Sequence, residues 1–146
     1  MSLAGAGVLT GMDNLDTLVG RWEMAASLAA PGEAPRAETS FEWLEGRRFL
    51  IQRWHVEHPA APDGIAIIGE AEGRYRQHYF DSRGVIRVYE MTLAGGEWRL
   101  WRDGPDFAQR FSGRFDASGD VISGAWEKSA DGSAWEHDFD LTYRRA

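Results

Sequence analysis

The side chain whose position speaks most directly of chemistry is His137. Reading every second residue from Trp135 to Arg145 gathers Trp135, His137, Phe139, Leu141, Tyr143 and Arg145 on one side. Glu136, Asp138, Asp140, Thr142 and Arg144 fall on the other. This period of two describes a strand with one aromatic and one charged face, and it places an imidazole among rings. A buried imidazole must be paired, so His137 is expected either to contact a polar ligand group or to bond a Tyr hydroxyl or a backbone carbonyl within the core.

Arg87 and Tyr89 share a face with Val85, Met91 and Leu93. If that face is inside, the guanidinium needs a ligand carboxylate or an internal acid as partner. If Ile86 and Val88 face inward instead, Arg87 is surface decoration, and alternation alone leaves both readings open. Gln109, between Phe107 and Phe111, is a further candidate interior polar group, with Phe111, Trp126 and Phe139 as aromatic wall. The pattern does not settle the faces of His55 and His78, and His58 precedes Pro59 in a loop. No two histidines have the spacing of a zinc motif, so no metal site is expected.

Catalytic signatures are missing. Asp81, Asp103, Asp116 and Asp131 lie beside turns, where Asp is expected for backbone reasons, and no carboxylate interrupts an apolar strand face where its pKa would rise. The chain contains no Gly-x-Ser-x-Gly elbow, phosphate-cradling Gly loop or dinucleotide fingerprint. No catalytic residue is assigned.

Composition narrows the partners. With 23 acidic against 16 basic residues the net charge is -7, which disfavours nucleic acid and anionic membranes. Cysteine is absent, so packing and hydrogen bonds must hold the fold. No apolar run is long enough to span a membrane, and the N-terminus lacks the pattern of a signal peptide. A soluble cytoplasmic protein without membrane insertion is expected.

The elements that must position these residues are almost all strands. Asp13 to Val19 predicts one short helical turn, with Leu15, Leu18 and Val19 on one side. Strands are then expected from about Trp22, Ala37, Phe49, Ile65, Tyr75, Val85, Glu97, Phe107, Val121 and Trp135, separated by turns rich in Gly and Asp. Ile65 to Ala71 is nearly all apolar and reads as a strand buried on both faces or covered by a loop. Trp43, Trp54, Trp98, Trp101 and Trp126 are expected in the core and barrel walls. About ten strands at regular spacing imply an all-β fold: one antiparallel up-and-down barrel over residues 13–146, with residues 1–12 a flexible N-terminal segment. The arginines spread along the strands predict cross-strand ion pairs on the outer face.

The short helical turn, Gly20-x-Trp22 opening the first strand, the meander and the basic residue on the last strand together resemble the calycin barrels, the lipocalins and fatty-acid-binding proteins. The resemblance implies that Trp22 packs at the closed end of the barrel beneath Arg144 or Arg145, with parity favouring Arg145, and makes Gly20, Trp22 and Arg145 the closure residues. Tyr79 to Val85, Arg87-Val88-Tyr89, Asp131-Gly132 and Trp135 to Tyr143 are also similar to a bacterial family of lipocalin-like domains of unknown function. Departures are visible. Ser27 to Arg36 is too short and proline-rich for the two-helix lid of fatty-acid-binding proteins, and Tyr143-x-Arg145 reverses their Arg-x-Tyr. The nitrobindins, which are similar ten-stranded barrels, ligate haem with a histidine on a late strand. That makes haem on His137 an alternative, although Glu23-Met24-Ala25-Ala26 stands where they have glycines. Parity and this architecture together lead to the expectation of a small apolar or amphipathic molecule bound inside the barrel by His137, Arg87, Tyr89, Gln109, Phe111, Trp126 and Phe139, with no cofactor. A small-molecule enzyme using His137 is another alternative. A third is a barrel filled by its own side chains that works through its surface, as a homodimer for example.

Overall fold

The structure is a computed structural model that describes residues 11–27, 35–104 and 107–146. Ten strands follow a short helix: β1 (Gly20–Ala26), β2 (Ala37–Trp43), β3 (Phe49–Val56), β4 (Gly64–Ala71), β5 (Arg74–Asp81), β6 (Ile86–Ala94), β7 (Glu97–Arg102), β8 (Ala108–Phe115), β9 (Val121–Ser129) and β10 (Glu136–Arg145). Every strand is antiparallel to its neighbours in sequence, and β1 also pairs with β10, so the sheet closes into the expected up-and-down barrel. Closure removes the free edges that a long aromatic final strand would otherwise expose. The β6–β7 turn shows why sequence reveals hairpins: Gly95 and Gly96 have φ of 61° and 76°, a pair that a tight two-residue hairpin favours and side chains resist.

The helix caps one end of the barrel. It is a 3-10 helix over Gly11–Leu18, beginning two residues before the sequence pattern suggests. At three residues per turn, Met12, Leu15 and Leu18 line up on one side. Leu15 and Leu18 are fully buried, and Met12 packs against them and the core. The polar atoms of the helix bond to the barrel: Asn14 donates to the Leu93 carbonyl and the Tyr75 hydroxyl to that of Gly11. Trp43 Nε1 donates to Asp16 Oδ1 at 2.9 Å, and Arg47 Nη2 reaches the same carboxylate at 3.0 Å. Arg145 lies over Trp22, 4.0 Å from its ring centroid, as the inward parity predicts. Gly20 makes room for this stack, since at its φ of +127° a Cβ would lie 2.8 Å from Arg145 Nη1.

Above this cap the interior is filled by rings. Trp98 packs against Phe41, Phe111 and Tyr143, and Phe111 continues to Trp126. One polar ladder crosses the apolar interior: Gln77 Nε2 donates to Gln52 Oε1 at 3.4 Å, Gln52 Nε2 to Thr39 Oγ1 at 3.2 Å, and Thr39 Oγ1 to the Arg53 carbonyl at 2.9 Å. All three residues are buried and neutral, so the ladder answers its own hydrogen-bonding needs without burying charge.

On the outer face the expected cross-strand ion pairs are present, among them Arg21–Glu38, Arg53–Glu42, Arg76–Glu90 and Arg110–Glu127. Two expectations need correction. β4 is buried on one face only: Ala66 and Ile68 point in, while Ile65 and Ile67 are half-buried on the outer surface. Trp101 is outside the barrel, because Trp98 and Leu100 take the inward positions of β7. Among the described residues no helix is long and apolar enough to cross a membrane.

Candidate functional site

β10 does not keep one parity from end to end. His137 pairs with Glu127, but Phe139 pairs with Trp126, so β10 advances two residues while β9 advances one. Asp138 is the extra residue of this β-bulge, and a bulge re-aims the side chains that precede it. Phe139, Leu141, Tyr143 and Arg145 keep the inward parity, whereas His137 shares the outer side with Glu127. The imidazole is exposed, with Nε2 2.9 Å from Asp140 Oδ1. Trp135 also lies outside, its ring 4.0 Å beneath the Arg110 guanidinium. The expectation of an inward His137 is therefore overturned, and with it the reading of this residue as an interior ligand contact. His55, His58 and His78 are exposed as well, so no imidazole reaches the interior.

The remaining candidates converge at the end opposite the helix, where the β1–β2, β3–β4, β5–β6, β7–β8 and β9–β10 loops emerge. Arg87 is on the inner side of β6, since Ile86 and Val88 are exposed on the outside. Gln109 Oε1 accepts from both Tyr89 Oη at 2.9 Å and Arg87 Nη1 at 3.3 Å, which ties β6 to β8 through the barrel mouth. Tyr89 packs edge-on against Trp126, and Trp126 against Phe111. Phe139 is half-buried opposite Trp126.

Four further residues complete the mouth. Trp54 stacks on Tyr79 with centroids 5.2 Å apart and closes over Gly64, where a Cβ would lie 2.0 Å from the indole. Arg102, inward on β7, lies 5.0 Å from the Phe107 ring centroid, and Arg87 lies 5.3 Å from the same ring. The parity of Arg102 was legible beside Trp98 and Leu100. Its approach to the ring that Arg87 also faces was not, because β6 and β7 run antiparallel and only register brings both arginines to Phe107.

The charges of the mouth divide sharply. Asp81 is buried and answered in full: Arg83 Nη2 lies 2.7 Å from Oδ2, and the Tyr79 hydroxyl donates to the same oxygen at 2.6 Å. The Arg83 guanidinium, with help from Tyr79, holds this carboxyl well below the usual range. Burial, and then the bond to Asp81, pushes the Tyr79 phenol up, and burial raises that of Tyr89. Both phenols thus stay protonated near neutral pH, as donors rather than bases. Arg87 and Arg102, by contrast, have no carboxylate within ion-pair distance among the described residues. Nor do the described residues contain a cluster of His, Asp or Glu able to hold a metal ion.

No family model and no curated protein matches the chain. Among solved structures, the crystal structure of Rv2717c from M. tuberculosis superposes with a TM-score of 0.64 at 18% identity, covering 92% of this chain and 96% of that one. At that identity the likeness is one of fold, and together with the closed ten-stranded barrel it fits a calycin-like architecture.

Proposed function

We propose that this protein binds a small amphipathic anion at the mouth of its barrel, the apolar part against Trp54, Tyr79, Tyr89, Trp126 and Phe139 and the anionic group on Arg87 and Arg102. The observation that carries this reading is that two guanidinium groups lie 5.3 and 5.0 Å from the Phe107 ring centroid without a carboxylate partner among the described residues, in a chain of net charge -7. Partly desolvated cations are costly unless paired, and a carboxylate or sulfonate would pair them with charge-assisted hydrogen bonds. The rings that fill the barrel below Tyr89 limit the size of the ligand. A compact aromatic or short-chain acid suits the mouth better than a long acyl chain running down the axis.

The test compares two fluorescent probes of similar shape, anilinonaphthalene sulfonate and the uncharged phenylnaphthylamine, followed by their emission and by Trp quenching. Saturable binding of the sulfonate, weakened at least about tenfold by Arg87→Ala or Arg102→Ala while the uncharged probe is less affected, is the expected result. Absence of saturable binding by either probe would instead favour a barrel that works through its surface.

A further inference from the structure

The outer face of β3 to β6 carries apolar side chains where a barrel wall facing water should alternate to polar ones. Register sets them in two rows. Ile51 pairs with Ile67, Ile67 with His78 and His78 with Val88; beside this row, Ile65 pairs with Phe80 and Phe80 with Ile86. Phe49 extends the patch, its ring lying over Gly69. Ile86 is 71% exposed, Phe49 45%, Val88 44% and Phe80 36%. At roughly 200 Å² for a large side chain, these four alone expose on the order of 400 Å² of mostly apolar surface. With Ile51, Ile65, Ile67 and His78 the patch reaches about 600 Å², at the upper end of what a monomer ordinarily leaves bare.

We propose that this face is where two copies of the chain join as a two-fold symmetric dimer, independently of what the barrel mouth binds. Two features select a second copy as the occupant. The area is right, because two such patches bury about 1,200 Å², the lower bound of stable specific interfaces. A two-fold axis near the Ile67–His78 pair sets the patch of each copy against that of the other, as an isologous contact requires. The charge is also right. The arginines bordering the patch are answered within the same chain, Arg53 by Glu42 at 2.6 Å and Arg76 by Glu90 at 3.2 Å. Two chains of charge -7 repel one another over most of their surface, and here they meet a neutral rim. An anionic membrane would instead call for unpaired basic residues around the patch.

Sedimentation velocity of the full chain, from micromolar to several hundred micromolar, tests the proposal. The expected result is a dimer of the 16.4 kDa chain that dissociates on dilution. Ile86→Glu and Val88→Glu should each raise its dissociation constant at least about tenfold with unchanged circular dichroism. Ser123→Glu, on the exposed face of β9, should leave the dimer intact. A chain that is monomeric throughout the range overturns the proposal, and so does a dimer indifferent to both β6 substitutions. A monomer that cosediments with phosphatidylglycerol vesicles through Ile86 also overturns it, in favour of a lipid surface.

Discussion

Arg145 is the last arginine of the chain and Trp22 stands near its start, and the guanidinium of one lies 4.0 Å from the ring centroid of the other. The stack joins β10 to β1 at the point where the barrel closes. Arg145 also donates to the carbonyls of Val19 at 2.8 Å, Thr17 at 3.0 Å and Gly119 at 3.3 Å, so one side chain ties the final strand, the end of the capping helix and the β8–β9 turn. Arg145→Ala is expected to destabilise the fold by about 2–3 kcal/mol, measured by urea unfolding. Arg145→Lys should recover little of the loss, because an ammonium lacks the planar fork that reaches three acceptors.

Trp22 and Trp98 predict unequal losses for the same substitution. Trp22 Nε1 donates to the Leu18 carbonyl at 2.9 Å, whereas Trp98 Nε1 is buried without a partner among the described residues. Trp22→Phe leaves that carbonyl unanswered and opens a gap, so a loss of about 2–3 kcal/mol is expected. Trp98→Phe opens a similar gap but removes an unsatisfied donor, and it should cost at least about 1 kcal/mol less. Equal losses in thermal or chemical melts would contradict this account.

Gly124 leaves space for Phe111, and a Cβ there would lie 2.5 Å from the ring. Gly124→Ala must push the ring toward Trp98 and Trp126. The expected loss is about 1–3 kcal/mol, with near-ultraviolet circular dichroism changed by the shifted aromatic cluster.

Asp81 makes stability depend on acid. Its carboxyl is depressed below the ordinary value of about 3.9 by Arg83 and Tyr79, so its contribution is complete above that value and disappears as pH falls toward the folded-state pKa. At pH 7, Asp81→Asn should be less stable than wild type by about 2 kcal/mol, the gap narrowing below about pH 4. A constant gap across that range in urea midpoints would show that the carboxylate charge is not what matters. Asp131 should behave alike between about pH 4 and pH 2, its carboxyl held at about 2 by the amides of Ala134 and Ser133.

His137→Ala should change stability by no more than about 0.5 kcal/mol and leave probe binding unaltered, since among the described residues the imidazole bonds only the exposed Asp140 carboxylate. Weaker binding of either probe by this variant, in the titration that tests Arg87, would restore an interior role for the residue.

Alternation along the chain was enough to locate ten strands, the meander and the closure of β10 on β1, because a residue's side of a strand is a local property repeated every second position. Trp22 and Arg145 were legible for that reason. What alternation could not reveal was any feature set by the neighbouring strand. Asp138 interrupts the parity of β10 only because β9 offers one residue where β10 has two, and His137 goes outside as a result. Ile65 and Ile67 read as buried on both faces, yet nothing among the described residues covers them. Arg87 fitted either face until pairing with β5 and contact with Gln109 fixed it inside, facing the Phe107 ring that Arg102 also faces. Local pattern thus determined the elements and their order. Register, which depends on two strands at once, decided which side chains meet, and the candidate site consists of those meetings.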